Sequence, residues 1–457
     1  MRLRLAAALL VIVAATPAGL AAASGPSQPD AQAAQALLAE GKNPYPVNLH
    51  RPPSAPLSAM ALVGQKIFFD TSLSSSGKLS CSSCHIPTRA YGPPGAAPAV
   101  MGGKNMQRQG VRAVPSLMYL ERQPAFAVGP DDEENEDPIL AQVVAQASTA
   151  ARPQKIAGDA AQSAAALVPQ GGLFWDGRVD SLQDQALVPL LNPLEMDGGS
   201  VVVLAAKLRR AAYAPVLVQL FGPSILDSPG LLVSEALFAV ARYQIEAPDF
   251  HPYTSKYDFW LEGKARLSPA ETRGFRLFND PAKANCAGCH LDQPAADGTP
   301  PLFTDHQFEA LGAPRNMELA ANHDPAYFDR GICGPDRTDM AAQKQYCGMF
   351  LTPTLRNAAT RQVFFHNGLF HTLQQVMDFY AFRDVAPEKV YPRNPDGTVA
   401  KYNDTPAADR GNIDVADAPF DRVLGDQPAM TPQEEQDIIA FLGTLTDGYS
   451  ARPVARQ

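Results

Sequence analysis

The 457-residue sequence predicts an all-α fold built as two tandem units of one plan. Two observations carry this. Cys81-Ser82-Ser83-Cys84-His85 and Cys286-Ala287-Gly288-Cys289-His290 repeat the motif C-x-x-C-H. Each motif follows an amphipathic helix signal and, after a long excursion, is followed by a closing helix signal. C-x-x-C-H is the attachment signature of c-type haem, in which the thiols form thioethers and the histidine is the proximal iron ligand. One turn of chain brings both sulfurs to the vinyl edges of the ring and the next imidazole to one face. A lone motif also suits a zinc half-site or a redox dithiol. Its recurrence selects two covalently bound haem c groups, and with them two class I cytochrome c-type domains.

Taken in order, Arg2 and Arg4, the apolar run from Leu5 to about Val13, and Ala21-Ala22-Ala23 before Ser24 have the three-part layout of a secretory signal. Residues 1–23 are therefore expected to be a cleaved signal peptide, which makes the protein exported and periplasmic. No later stretch approaches the roughly 20 apolar residues of a membrane span. Residues 24–56 are rich in Ala, Pro and Gln and are expected to form an extended N-terminal segment.

The N-terminal domain is expected over 57–250. Ser58 can cap a helix carrying Met60, Leu62, Val63, Ile67 and Phe68 and ending at Asp70, and a helix from Ser234 to about Glu246 can close the unit. The C-terminal domain, 251–450, opens its first helix on the capping box Ser268-Pro269-Ala270-Glu271 and its last on Thr431-Pro432-Gln433-Glu434. A stretch near 246–266, rich in aromatic and charged residues, joins the two.

Composition narrows the function. Hydrophobic residues make up 46% and charged residues 19%, a globular balance, and the 42 prolines point to long, turn-rich connections. A formal charge of −9 supplies no basic field for nucleic acid or an anionic membrane. Asp131 to Asp137 holds six acids in seven positions and reads as a solvated surface loop, with a docking patch for a basic donor or a cation site as the alternative. Cys333 and Cys347 have no following histidine. In an oxidising compartment they most simply pair, which the chain-entropy model values at roughly 3 kcal/mol; two thiols are the alternative.

With two haem motifs in this order, the chain resembles the bacterial dihaem cytochrome c peroxidase and MauG superfamily from about residue 57 to 447. The resemblance rests on Gly64-Gln65-Lys66-Ile67-Phe68-Phe69-Asp70, Val114-Pro115-Ser116-Leu117, Phe174-Trp175-Asp176-Gly177-Arg178, Ser181-Leu182-Gln183-Asp184-Gln185-Ala186, Asn192-Pro193-Leu194-Glu195-Met196 and Pro353-Thr354-Leu355-Arg356-Asn357. It implies two all-α cytochrome c domains whose haems face a shared interface.

It also implies roles. Residues at Gln185, Pro189 and Glu195 line the distal pocket of the first haem, where peroxide binds. Heterolysis of the O–O bond needs a proton moved from one oxygen to the other, work for Glu195 as general base and then acid, with Gln185 orienting the bound oxygen. Trp175 sits between the haems and relays electrons. The cofactor-binding set is Cys81, Cys84, His85, Cys286, Cys289, His290 and Tyr380, with His85, His290 and Tyr380 on iron. Tyr380 rather than methionine at the sixth position of the second haem is the MauG-like choice, with Met377 one turn earlier as its rival.

Two departures stand out. Residues 86–130 contain no histidine, where classical members keep one as a removable ligand. The first haem is thus expected to be five-coordinate or water-bound, unless Met101 or Met106 fills the place; a mobile glycine-rich loop is the plainer reading there. The family's calcium site falls on Ala113, Arg361 and Val363, which lack acceptor side chains, so calcium is doubtful and the Arg361 guanidinium is expected to take its place.

The resulting expectation is an exported, MauG-like peroxidase-type oxidoreductase. It reduces hydrogen peroxide at the N-terminal haem with electrons relayed from the C-terminal haem, and its partner is a small cytochrome c or cupredoxin or a protein being oxidised. A dihaem electron-transfer cytochrome without peroxidase activity is the alternative.

Overall fold

Side-chain caps set where most helices begin in this structure, a computed structural model that describes residues 30–130 and 167–450. The signal-peptide expectation and the acidic run 131–137 lie outside the described residues. In chain order the helices are α1 (Ala31–Ala39), α2 (Ala59–Phe68), α3 (Cys81–Cys84), α4 (Leu182–Leu191), α5 (Val201–Leu208), α6 (Ala214–Phe221), α7 (Pro229–Glu246), α8 (Lys256–Leu261), α9 (Pro269–Phe278), α10 (Leu373–Phe382) and α11 (Pro432–Gly443). Sheet is confined, among these residues, to three antiparallel pairs: β1 (Met101–Gly102) with β2 (Arg108–Gln109), β3 (Ala127–Pro130) with β4 (Leu167–Gln170), and β5 (Phe308–Glu309) with β6 (Phe350–Leu351).

The expected caps are present. Ser58 Oγ accepts the Ala61 N–H at 3.1 Å, and Ser268/Glu271 and Thr431/Glu434 form reciprocal capping boxes. Two boundaries differ. α7 starts at Pro229 on the Ser228 cap, ahead of the expected Ser234. The described part of the segment expected to be extended, residues 30–56, is not simply so: Asp30 caps α1, and Leu38 and Leu49 are buried. The Ala/Gln run is a good helix former once apolar residues at one end can dock.

Two large cores follow one another along the chain. The first gathers Phe68 and Leu73, Tyr119, Leu190, Leu204 and α7 through Tyr253. The second gathers Tyr257, Trp260, Phe278, Phe303, Met377, Ile438 and Phe441, and takes in Leu38 and Leu49 from the N-terminal segment. Each core is built on a helix pair crossing at a glycine. In α2 a Cβ on Gly64 would sit 1.8 Å from the Ala239 carbonyl oxygen of α7, and in α9 one on Gly274 would sit 1.9 Å from that of Asp437 in α11. Only glycine permits axes this close, and both halves use the device at the helix that leads into their C-x-x-C-H motif.

Candidate functional site

At the first motif, α3 is a single turn, and the His85 N–H closes on the Cys81 carbonyl at 2.9 Å. His85 Nδ1 faces the Tyr91 carbonyl at 3.1 Å, so it carries the proton and leaves Nε2 with the lone pair a metal needs. The second motif repeats this with a 3₁₀ turn: His290 Nδ1 lies 2.9 Å from the Phe303 carbonyl. Burial pushes both imidazoles down to about 4, keeping them neutral at pH 7, and pushes the thiols of Cys81, Cys84 and Cys286 up to about 12. These side chains are only half-buried by surface, so what they face is interior space. Two thiols and a tautomer-fixed imidazole turned inward at each site fit a c-type haem. The disulfide joins Cys333 to Cys347 as expected, which leaves the motif thiols to that chemistry.

A cavity of about 150 Å³ lies between the halves. Gln185 and Trp175 border it together with Tyr119, Arg356 and Arg361. Gln185 is placed by α4, which Ser181 caps and Asn192 ends. Pro189 lies inside α4, where its ring nitrogen offers no hydrogen for the Gln185 carbonyl. Trp175 stands in a turn closed by the Leu173 N–H on the Val179 carbonyl at 2.7 Å. Its indole N–H donates to the Ala113 carbonyl at 2.8 Å, and its own carbonyl accepts from Leu351 N–H, so both halves hold it. Behind it, fully buried Asp176 pairs with Arg112 at 2.7 Å and Arg178 at 2.8 Å.

Glu195 does not border that cavity. It stands on the Cys84 side, where its charge adds to burial in raising the thiol's pKa. Beyond Asn192 the chain turns back, with Glu195 N–H on the Asn192 carbonyl at 3.0 Å and the Asn192 side-chain amide donating to Glu195 Oε1 at 2.9 Å. Burial raises the carboxyl above its ordinary range; Arg178 and Asn192 pull it back in part, and Asp336 pushes it up. The 101–110 loop, expected to be mobile, is the β1–β2 hairpin laid on this turn. Gly103 N–H donates to the Glu195 carbonyl at 2.7 Å, and a Cβ on Gly102 would lie 2.5 Å from the same oxygen. Met101 is exposed there, while Met106 packs on the first core.

Tyr380 lies on α10, capped by Thr372, and stacks on Phe420 at 5.3 Å. Burial, then the charges of Cys289 and Cys286, hold its phenol well above the usual value, which sets it beside the second motif. Met377 is buried in the second core. Arg361 donates to the Val114 carbonyl at 3.0 Å and the Val363 carbonyl at 3.2 Å, with no carboxylate in ion-pair range among the described residues; burial pulls it down to about 10. Of the positions where the resemblance puts calcium, it bonds Val363 and reaches the neighbour of Ala113. Sequence reasoning passed over Asn192 and Arg178 as partners of Glu195, although both stand inside the quoted strings.

Residues 58–266 match the family described as di-haem cytochrome c peroxidase. The chain is 30% identical over 399 residues to the methylamine utilization protein MauG of Paracoccus denitrificans, covering 85% of this chain and 89% of that protein. It is 26% identical over 322 residues to the cytochrome c551 peroxidase of Nitrosomonas europaea, covering 70% and 72%. Among solved structures, the diheme peroxidase BthA from Burkholderia thailandensis is similar with a TM-score of 0.73 and 33% identity, covering 88% and 89%. The chain belongs to the di-haem cytochrome c peroxidase and MauG family of oxidoreductases. Two C-x-x-C-H motifs are the attachment sites that a di-haem member requires.

Proposed function

We propose that the protein is an exported, MauG-like peroxidase. It reduces hydrogen peroxide at the N-terminal haem, held by Cys81, Cys84 and His85, with electrons relayed from the C-terminal haem, held by Cys286, Cys289 and His290. The observation that carries this reading is Glu195: a carboxyl raised by burial, aimed by Asn192 and set beside the first attachment motif. The haem units correspond to 57–250 and 251–450, and the change from one core to the other between Tyr253 and Tyr257 supports that division.

When bound, the haems supply iron for peroxide reduction and for electron transfer. The protein's own groups move protons and set geometry. Glu195 takes the proton from one peroxide oxygen and returns it to the other, and the Gln185 amide orients the substrate. Trp175, held by both halves, bridges the two centres. Tyr380, beside Cys286 and Cys289, would help hold the second haem's iron and would supply a phenolate donor, which favours an oxidised metal. Arg361 occupies the calcium region, so no calcium is needed; one tightly bound calcium per chain by elemental analysis would overturn that point. The electron source is a small cytochrome c or cupredoxin, or a protein substrate that is itself oxidised as it gives up electrons.

Glu195→Gln tests the reading. The variant is expected to keep both haems and lose about 100-fold or more of peroxide turnover. Unchanged turnover would move the proton transfer elsewhere.

A further inference from the structure

Tyr119 is the one described tyrosine that borders the cavity between the halves, on the same wall system as Trp175. Its ring is buried, and its phenol donates to Asp447 from the far end of the chain. Asp447 is itself a fixed acceptor: its oxygens also receive the Asn357 side-chain amide at 2.7 Å and the Thr254 N–H at 2.8 Å. A second phenol stands against the first. The Tyr253 ring lies 4.8 Å from that of Tyr119, and its hydroxyl donates to Glu121 at 3.2 Å. Beyond Glu121, the His251 Nδ1 lies 3.9 Å from the other carboxylate oxygen, and neither atom has a hydrogen-bond partner.

The Arg356 guanidinium lies 5.0 Å from the centre of the Tyr119 ring and 4.9 Å from that of Tyr253. A cation over both faces would oppose loss of an electron, but it is neutralised by the wholly buried Asp258, bonded through both oxygens at 2.6 and 3.0 Å. What remains is a pair of phenols in contact at a tilt of 54°, each with its own carboxylate, the Tyr119 member bordering the cavity between the halves. Tyr213 also donates to a carboxylate, Asp70, yet it is enclosed in the first core away from the cavity. Oxidising a buried phenol creates a charge in low dielectric unless its proton leaves in the same event, and a preset carboxylate removes that penalty.

We infer that Tyr119 is a redox-active residue, a holding site for one oxidising equivalent drawn from the haem pair. The inference rests on the peroxidase reading. Peroxide removes two electrons from the haem pair. Tyr119 returns one, its O–H bond breaks, the proton passes to Asp447, and a neutral phenoxyl radical remains over Tyr253. An electron from the external donor, with the proton from Asp447, restores the phenol.

The test is freeze-quenched EPR of the full-length holoprotein mixed with hydrogen peroxide in the absence of a donor, using protein grown on ordinary or ring-deuterated tyrosine. A narrow radical signal that sharpens on deuteration and vanishes in Tyr119→Phe is expected. Asp447→Asn, which keeps the shape but not the basicity, is expected to slow radical formation and reduce its solvent isotope effect. Haem bands that respond to peroxide without any tyrosine-derived radical, or with one that survives in Tyr119→Phe, would overturn the inference and leave the peroxidase reading standing. Haem bands indifferent to peroxide would overturn both. The deuteration arm needs no variant to fold.

Discussion

Glu195 feels two opposed pulls, of which burial is the stronger. Burial favours the neutral acid, whereas the Asn192 amide and the Arg178 charge favour the carboxylate. Acting as base requires the carboxylate, so turnover is expected to fall as pH drops through a value above the ordinary glutamate range. That acidic limb should be absent in Glu195→Gln. Asn192→Ala removes a hydrogen bond to the charged form, so its limb is expected to move to higher pH, read from kcat/KM against pH. Another residue-scale feature concerns stability. Arg356 and Asp258 form an ion pair with no exposed surface, and Asp258→Ala strands a buried guanidinium. A loss of about 3–5 kcal/mol is expected, measured as a lowered denaturant midpoint. Glu195 and Gln185 were legible only through the strings they share with a family. Tyr119 and Asp447, 328 positions apart, share no local pattern that would join them.

Among the elements, helices with a Ser or Thr cap and a glutamate three residues on were readable in advance, because the cap and the orphan N–H groups it satisfies are neighbours in sequence. The hairpin β1–β2 was not. Its strands are two residues each, too short for alternation to register, and its stability comes from packing on the Glu195 turn. α1 was hidden for a similar reason: its apolar end is paired with residues such as Trp260, whose indole N–H donates to the Gly41 carbonyl at 3.1 Å. The glycine crossings make an element-scale prediction. Gly64→Ala drives a Cβ into the α7 backbone and is expected to cost about 1–3 kcal/mol or more. Differential scanning calorimetry of the holoprotein should show the first unit melting earlier with the second little changed; a common downward shift would mean that the halves unfold as one.

For the whole molecule, the halves are joined where the chemistry is. Trp175 hangs from Ala113 and holds Leu351, Arg361 links Val114 to Val363, and Tyr119 reaches Asp447. The tandem plan was visible because the motif repeats, but this seam was not, since the contacts that cross it, Leu351 with Trp175, Arg361 with Val114 and Tyr119 with Asp447, join segments far apart in sequence. A seam this polar and aromatic suits passage of charge between the two haem centres of the proposal. The most direct measurement is the ferric EPR spectrum of the holoprotein before and after stoichiometric hydrogen peroxide. One high-spin and one low-spin ferric signal, both diminished by peroxide, is the expected result; two low-spin signals that peroxide leaves unchanged would contradict it and leave an electron-transfer cytochrome.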